Sequence, residues 1–209
     1  MIKTKQLTYQ YQPNEQVFSF PNIDISDQDD LLIVGKSGIG KTTLLHLLAG
    51  ILKPIDGTIT IENTNINDLK SNNLDKFRGH NIGLVFQNNH AITSLSVYDN
   101  LKARLFLSKQ DIDTSKIDGL LQDLGLIEFK HRKTNALSEG QLQRLGIALA
   151  VIHGPKVIFA DEPTSSLDDE NCRIVIELLK DQANMNNANL VVITHDHRVK
   201  PYFEKSITL

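Results

Sequence analysis

The most informative segment of this chain is Gly35-Lys36-Ser37-Gly38-Ile39-Gly40-Lys41-Thr42. It has the spacing G-x-x-x-x-G-K-[ST], it follows the apolar run 31–34, and the pattern after it predicts a helix over 43–52. A strand, a glycine-rich loop and a helix in this order are typical of a loop that wraps a phosphate group. The sequence therefore predicts a nucleotide-phosphate site between a buried strand and a helix.

Each fixed position in this loop has a physical reason. Glycines allow the backbone N–H groups to curl round an anion, where a Cβ atom would clash. The start of the following helix, with Thr43 in its first turn, adds unpaired donors and a partial positive charge. We expect Lys41 to bridge the terminal phosphates and the Thr42 hydroxyl to ligate Mg²⁺. The alternative is a glycine-rich turn with an ordinary surface lysine, but the four fixed positions match by chance in on the order of one chain in a hundred.

The bulk composition limits what else the chain can be. Its 209 residues suit one domain, or one domain with a small inserted lobe, so we expect 1–209 to be a single domain. The net charge of −3 offers no broad basic surface, and we expect no nucleic-acid partner. One cysteine, Cys172, excludes an internal disulfide and a cysteine-based metal site. Neither a secretory signal nor a run of roughly 18 apolar residues is found, so we expect a cytoplasmic protein, or one held at a membrane by a partner.

Strand-like and helix-like segments alternate along the chain. We predict strands round a hairpin over 5–25, and a loop with a brief helical turn over 63–73. The pattern from Ser94 to about Ile152 is mostly helical, which predicts an all-helical lobe inserted between strands. Such alternation favours an α/β fold with a parallel sheet whose faces are covered. The other predicted elements are a helix over 169–184 and strands over 31–34, 58–61, 81–86, 157–160, 190–194 and 206–209.

Two acids end one of the buried strands, Val157-Ile158-Phe159-Ala160-Asp161-Glu162. A parallel strand delivers the residues at its carboxyl end to the sheet edge where the phosphate loop also lies. We expect Asp161 to belong to the Mg²⁺ shell, directly or through water, and Glu162 to polarise a water for attack on the γ-phosphate. Solvated acids at a strand end are the alternative interpretation. Consecutive strand residues face opposite sides, so we expect only one of the two acids to face the metal directly.

A third stretch, Leu137-Ser138-Glu139-Gly140-Gln141, is followed by Leu142-Gln143-Arg144. From physics alone it is a capped helix N-terminus, with Ser138 as the cap and Gly140 allowing close backbone approach. Together with the phosphate loop and the two acids, it resembles the signature motif of ATP-binding-cassette ATPases. The resemblance covers essentially the whole chain. It implies a P-loop NTPase core with a mainly parallel sheet, an N-terminal antiparallel β-subdomain, and the inserted all-helical lobe over about 94–152.

The same resemblance implies roles for residues outside the phosphate loop. Tyr11 is similar to the aromatic residue that stacks on adenine, and Tyr9 is the weaker candidate. Gln87, which closes the strand 84–86, resembles the glutamine that senses Mg²⁺ and the γ-phosphate. His195 matches the histidine that contacts the γ-phosphate, although a histidine at a strand end is by itself more often structural.

Other residues are implied to act between two subunits. Ser138, Gly140 and Gln141 resemble the signature residues that touch ATP held by the other subunit. Asp168, at the end of the loop 165–168, resembles the acid of the loop that carries information between the two sites. The chain departs from the family pattern at three positions, none of which removes a catalytic group. They are Glu139 in place of glycine, Leu149 where arginine is frequent, and Ser166 in place of glycine or alanine.

The activity implied by the resemblance is hydrolysis of ATP to ADP and phosphate, with Mg²⁺, in a head-to-tail dimer of two cassettes. Closing and opening of that dimer would drive a separate transmembrane permease. The run 159–164 and the minimal length look most like cassettes of lipoprotein-release and macrolide-efflux type systems, and importers of amino acids are nearly as similar. A non-transport cassette that transmits force to a membrane partner, as at division or cell-wall sites, is the alternative. The compact lobe and the single cassette disfavour chromosome-maintenance and translation-factor relatives.

Overall fold

The computed structural model describes residues 1–13, 15–87 and 90–209, and their strands and helices alternate along the chain. The strands are β1 (Ile2–Tyr9), β2 (Phe18–Ser19), β3 (Asp24–Ile25), β4 (Asp30–Val34), β5 (Asp56–Ile61), β6 (Thr64–Asn65), β7 (Ile82–Val85), β8 (Val157–Asp161), β9 (Asn189–Thr194) and β10 (Ser206–Thr208). The α-helices are α1 (Lys41–Leu48), α2 (Ser71–Asn81), α3 (Val97–Leu107), α4 (Thr114–Asp123), α5 (Glu139–Val151) and α6 (Asp169–Asn186). Short 3₁₀ segments lie at Ile66–Asp68, Ile127–Phe129, Thr134–Ala136 and His197–Tyr202.

The strands form two sheets of opposite character. One is wholly parallel, with the strand order β10-β4-β9-β8-β7, and the other is antiparallel, with the order β2-β1-β5-β6 and β3 paired to β1. The predicted α/β fold with a mainly parallel sheet and an N-terminal antiparallel part is therefore confirmed. Because β4, β7, β8 and β9 run in the same direction, their carboxyl ends meet at one edge of the sheet.

Residues of the parallel sheet point alternately into two hydrophobic clusters. On β8, Ile158 packs with the helices α3, α5 and α6, whereas Phe159 packs with α1 and the antiparallel sheet. Every residue of β8 and β9 is buried, as expected for strands that are covered on both faces. This double cover fixes where β8 and β9 end and thereby positions the polar residues at their carboxyl ends.

Helix α5 packs directly on β7, at a point where only glycine fits. A Cβ atom on Gly83 would lie 2.3 Å from the carbonyl oxygen of Ala150, which is far inside van der Waals contact. Helix α5 also packs against α3 and α6. The extent of the inserted lobe, about 94–152, stays a prediction, since its last helix lies against the parallel sheet.

Three local predictions were wrong. The helix after the phosphate loop starts at Lys41 rather than Thr43. It ends at Leu48 rather than Leu52, because Gly50 adopts a left-handed conformation with φ of 64°. The helix α2 was missed, since it buries no residue and so shows no apolar stripe. Tyr11 lies beyond the end of β1 rather than on a strand.

No helix in the described part of the chain is both long enough and apolar enough to span a bilayer.

Candidate active site

The phosphate loop lies between β4 and α1 and is shaped by two left-handed glycines. Gly38 has φ of 80° and Gly40 has φ of 104°, a region that side-chain-bearing residues rarely adopt. A Cβ atom on Gly40 would in addition lie 2.8 Å from the ring of Phe18. Lys41 is buried, and its Nζ atom donates to the carbonyl oxygens of Gly35 at 2.9 Å and Lys36 at 3.1 Å. The loop is thus folded round the ammonium group, which is the expected anion-binding charge.

Asp161, the last residue of β8, lies directly beside the phosphate loop. The hydroxyl of Thr42 donates to Asp161 Oδ2 at 2.9 Å, although the two residues are 119 positions apart in the sequence. The other carboxylate oxygen, Oδ1, is buried and has no hydrogen-bond partner among the described residues. A buried carboxylate oxygen without a partner costs free energy unless a ligand satisfies it.

This pair of oxygen ligands fits Mg²⁺. Mg²⁺ is usually bound through one or two protein oxygens and completes its octahedron with phosphate oxygens and water. Within the described residues no group of three or more His, Cys, Asp and Glu side chains is placed to hold a metal, so a closed protein cage is not the pattern here. Burial raises the pKa of Asp161, and the hydrogen bond from Thr42 offsets only part of that shift. A nearby cation would restore the charged carboxylate.

Glu162, the residue after β8, has a set of contacts different from that of Asp161. Its backbone is left-handed, with φ of 48°, which turns the chain sharply after β8. Oε2 accepts from the Thr194 hydroxyl at 2.7 Å and from the backbone N–H of His195 at 3.2 Å. Oε1 lies 2.8 Å from Nδ1 of His195 and 3.4 Å from Nζ of Lys41. The two acids thus have different partners, but Glu162 lies beyond β8 in a left-handed conformation, so strand alternation does not explain the difference. Which of the two acids faces a metal stays a prediction.

These contacts shift the pKa of Glu162 in the direction opposite to that of Asp161. Burial alone would raise the pKa of Glu162, but the hydrogen bonds from His195 and Thr194 outweigh it, and the pKa lies below its ordinary value. Glu162 is therefore held as a carboxylate, the form that accepts a proton. Because a carboxylate faces it, the ring of His195 carries its proton on Nδ1, which leaves Nε2 free on a side chain that is 58% exposed.

Gln87 follows β7 and reaches the same sheet edge from the other side. Its Nε2 donates to the hydroxyl of Ser165 at 3.4 Å, and that hydroxyl in turn donates to the carbonyl oxygen of Glu162 at 3.2 Å. The glutamine is thus linked to the acid through one serine. The link ends on the backbone carbonyl of Glu162, not on its carboxylate.

Tyr11 lies against the first turn of α1. Its hydroxyl is 2.8 Å from the Thr43 hydroxyl, and its ring meets Tyr9 edge-on at a centroid distance of 4.9 Å. Phe18 and Phe20 continue this aromatic group. Tyr11 is 53% exposed, so the ring has a free surface beside the phosphate loop on which a base can stack.

The signature residues form a second cluster, away from the phosphate loop. Ser138 caps α5 in a capping box with Gln141, and a Cβ atom on Gly140 would approach only Asn171, at 3.9 Å. Asn171 in turn donates to Asp168, whose carboxylate caps α6. These hydrogen bonds lower the pKa of Asp168. Among the described residues, no hydrogen bond or ion pair joins this second cluster to the phosphate loop.

Sequence reasoning missed Thr194 as part of the site. It is fully buried, it donates to Glu162, and its hydroxyl accepts from the backbone N–H of Asp196. The only sequence signal was a hydroxyl residue at the carboxyl end of a buried strand, directly before His195. Thr194 orients the carboxylate of Glu162, and a valine there would leave one carboxylate oxygen without this donor.

The fold and the site define a P-loop nucleotide-binding protein with one carboxylate beside the loop hydroxyl and a second beside the loop lysine. The family model described as ABC transporter matches residues 20–165. The chain belongs to the ABC transporter family, as the ATP-binding and ATP-hydrolysing cassette.

Named relatives are similar over nearly the whole chain. The lipoprotein-releasing system ATP-binding protein LolD of Buchnera aphidicola is 33% identical over 90% of this chain and 84% of its own. An uncharacterized ABC transporter ATP-binding protein of Methanocaldococcus jannaschii, MJ0796, is 34% identical over 100% of this chain and 93% of its own. The macrolide export ATP-binding/permease protein MacB of Bdellovibrio bacteriovorus is 32% identical, but only 32% of its length is covered.

Solved structures agree with this assignment. The dimeric post-hydrolysis state of the cassette MJ0796, bound to ADP and Pi, superimposes with a TM-score of 0.89 at 32% identity. The superposition covers 100% of this chain and 94% of the MJ0796 chain. The structure of cbiO1 from Clostridium perfringens, part of the cbiONQ transporter complex, gives a TM-score of 0.88 at 29% identity over 99% of this chain and 83% of its own. The relatives thus include dimeric cassettes and subunits of larger transporter complexes.

Proposed function

We propose that this chain is the ATPase subunit of a transporter, held peripherally at the inner face of the cell membrane by a separate transmembrane permease. Two such subunits close on ATP and open after hydrolysis, and this cycle moves the permease. The observation that carries the proposal is the division of the two acids at the end of β8. Asp161 pairs with the loop hydroxyl of Thr42, and Glu162 pairs with the loop lysine, Lys41.

The chain's own residues supply binding and orientation. The glycine loop presents backbone N–H groups to the phosphates, and Lys41 exchanges Glu162 for the β- and γ-phosphates as its partner. Thr42 and Asp161 would hold Mg²⁺, which when bound neutralises the charge on the phosphate oxygens. Tyr11 provides a stacking surface for adenine.

Glu162 is the proposed general base. It is held charged by Thr194 and His195, and its carboxylate takes the proton of the attacking water. Gln87, linked to Glu162 through Ser165, positions that water together with His195, which contacts the γ-phosphate. Departure of Lys41 toward the nucleotide removes a positive neighbour from Glu162, which makes the carboxylate a better proton acceptor.

The signature cluster serves the second subunit. The N-terminus of α5, with Ser138, Gly140 and Gln141, has the unpaired N–H groups and the dipole that favour an anion. It lies apart from the phosphate loop of its own chain, so we assign it to the nucleotide of the partner cassette. Asp168, through Asn171, connects this N-terminus to the loop that follows Glu162.

The test is purification of the affinity-tagged chain from the membranes of its own host in mild detergent. An integral membrane protein should co-purify in fixed ratio with the chain, and ATP hydrolysis in the complex should require Lys41. Recovery of the chain free of any membrane protein, from membranes in which it is present, would overturn the transport assignment.

A further inference from the structure

Arg198 lies outside the motifs described above, yet its guanidinium contacts three separate segments of the chain. It belongs to the 3₁₀ segment His197–Tyr202, three positions after His195. Its N–H groups reach the turn that carries His195, the loop 164–167 shortly after Glu162, and the first turn of α6. These are the segments that surround the proposed base on the side away from the phosphate loop.

Two carboxylates bind the guanidinium from different segments. Nε donates to Oδ1 of Asp196 at 2.9 Å and Nη2 donates to Oδ2 at 2.7 Å, which is the paired geometry that a guanidinium and a carboxylate prefer. Nη1 donates to Oδ1 of Asp169, in the first turn of α6, at 2.6 Å. The hydrogen bonds from Arg198 lower the pKa of Asp196 to about 2, so this pair is charged at neutral pH.

The same guanidinium also binds the backbone of the loop 164–167. The carbonyl oxygen of Leu167 accepts from Nη1 and from Nη2, each at 3.1 Å, and that of Thr164 accepts from Nη2 at 3.4 Å. The Thr164 hydroxyl donates to Asp196 at 2.9 Å. Both ends of the loop are therefore fastened to the pair of Asp196 and Arg198. A planar fork of five N–H groups makes these contacts together, whereas the ammonium of a lysine has three donors on a single atom.

Both sides of this connection lead to Glu162. On one side, Thr194 donates to the Glu162 carboxylate and accepts from the backbone N–H of the residue that follows His195. On the other side, the Ser165 hydroxyl in the loop donates to the carbonyl oxygen of Glu162. Arg198 thus closes a ring of contacts that runs from Glu162 through the turn at His195 and back through the loop.

We infer that Arg198 is a positioning residue for ATP hydrolysis, which holds the loop 164–167 in place against the turn that carries His195. The inference rests on the proposed function, because it takes from there the roles of Glu162 as base and of His195 as γ-phosphate contact. Arg198 belongs to the part of the site that holds the base and not to the phosphate loop, so its loss should slow hydrolysis without weakening the binding of ATP. A misplacement of about 1 Å can cost on the order of 10² in rate.

The experiment compares steady-state ATP hydrolysis by the purified full chain and its variants, which gives kcat and KM separately. Arg198→Ala removes all the contacts, and Arg198→Lys keeps a positive charge beside Asp196 but loses the fork to the loop carbonyls. Arg173→Ala is the matched control, since it removes an exposed arginine of α6 that pairs with Glu177 on the same helix. His195→Ala, alone and combined with each Arg198 variant, tests whether the two residues act together. Melting temperature and calorimetric affinity for a non-hydrolysable ATP analogue are measured for each protein.

Arg198→Ala should lower kcat at least ~10-fold, while KM and the affinity for the analogue stay within about two-fold of the parent. Arg198→Lys should stay closer to Arg198→Ala than to the parent, because three donors on one atom do not reproduce the fork. In the His195→Ala background, Arg198→Ala should lower kcat by much less than it does alone, since both changes disturb the same unit. Arg173→Ala should match the parent. If Arg198→Ala melts below the assay temperature, Arg198→Lys carries the comparison.

Any of four results would overturn the inference. They are a parental kcat in both Arg198 variants, full recovery of kcat with Arg198→Lys, an equal loss of kcat with and without His195, and a loss of nucleotide affinity in proportion to the loss of kcat. Parental turnover in His195→Ala would instead contradict the proposed role of His195 in hydrolysis, and the inference would fall with it.

Discussion

His153 should make the stability of this protein unusually sensitive to mild acid. The side chain is 2% exposed, between the start of β7 and the end of α3. Burial, reinforced by the charge of Arg104 and more weakly by Lys116 and His80, lowers its pKa from 6.5 to about 3. The native ring therefore stays neutral in a pH range where the unfolded chain binds a proton. The stability that depends on this neutral ring is complete above pH 6.5 and is lost as the pH falls from 6.5 toward 3.

The size of the effect follows from proton linkage. One proton bound only by the unfolded state changes the free energy of unfolding by about 1.4 kcal/mol per pH unit. Between pH 7 and pH 5 a histidine with these two pKa values loses about 2 kcal/mol. The glutamine in His153→Gln offers an amide that both donates and accepts hydrogen bonds, but it does not titrate.

The assay is urea unfolding of the wild type and of His153→Gln at pH 7, 6 and 5. All carboxylates are common to both proteins, so the difference between the two free energies isolates the histidine. The wild type should lose about 2 kcal/mol relative to the variant on going to pH 5. His80→Gln, which removes an exposed histidine, is the matched control and should follow the wild type. A parallel pH dependence of the free energy of unfolding in the wild type and His153→Gln would show that His153 can bind a proton in the folded protein.

The remaining predictions concern the phosphate loop, the β7–α5 contact and the dimer. Lys41→Ala should abolish ATP binding in a calorimetric titration, because the main charge that faces the phosphates is lost; near-normal affinity in the folded variant would contradict the site. Gly83→Ala should lower the free energy of unfolding by about 3 kcal/mol or more, since its Cβ would lie 2.3 Å from a carbonyl oxygen; a shift of only a few tenths would show that the strand yields easily. The wild-type chain should be largely monomeric without nucleotide in light scattering, because an interface filled by ATP has little affinity when it is empty. A stable dimer in the absence of nucleotide would count against this.

The parts of the site whose residues lie close together along the chain could be predicted from the sequence. The phosphate loop, the acids at 161–162 and the parallel strands could be predicted, because each rests on local spacing or on a buried apolar run. The phosphate loop and the two acids lie at the same edge of the parallel sheet, because they follow the carboxyl ends of β4 and β8.

What the sequence did not reveal depends on contacts between distant residues. The bond from Thr42 to Asp161 joins positions that are far apart, and the role of Thr194 follows only from its distance to Glu162. Helix α2 was missed for a different reason, because a helix that buries nothing leaves no periodic pattern.

In the proposed mechanism Glu162 takes the proton of the attacking water, whereas Asp161 holds the metal. Glu162→Gln keeps the shape of the side chain and its reach to Thr194, but it removes the proton acceptor. The decisive measurement is ATP turnover of this variant, together with the nucleotide that it retains and its mass in light scattering. Turnover should fall by about 10²–10⁴, with ATP retained in a dimer that is stable enough to isolate. Asp161→Asn should instead lose Mg²⁺-dependent binding and hydrolysis together. Hydrolysis by Glu162→Gln within a few-fold of the parent would remove Glu162 from the mechanism.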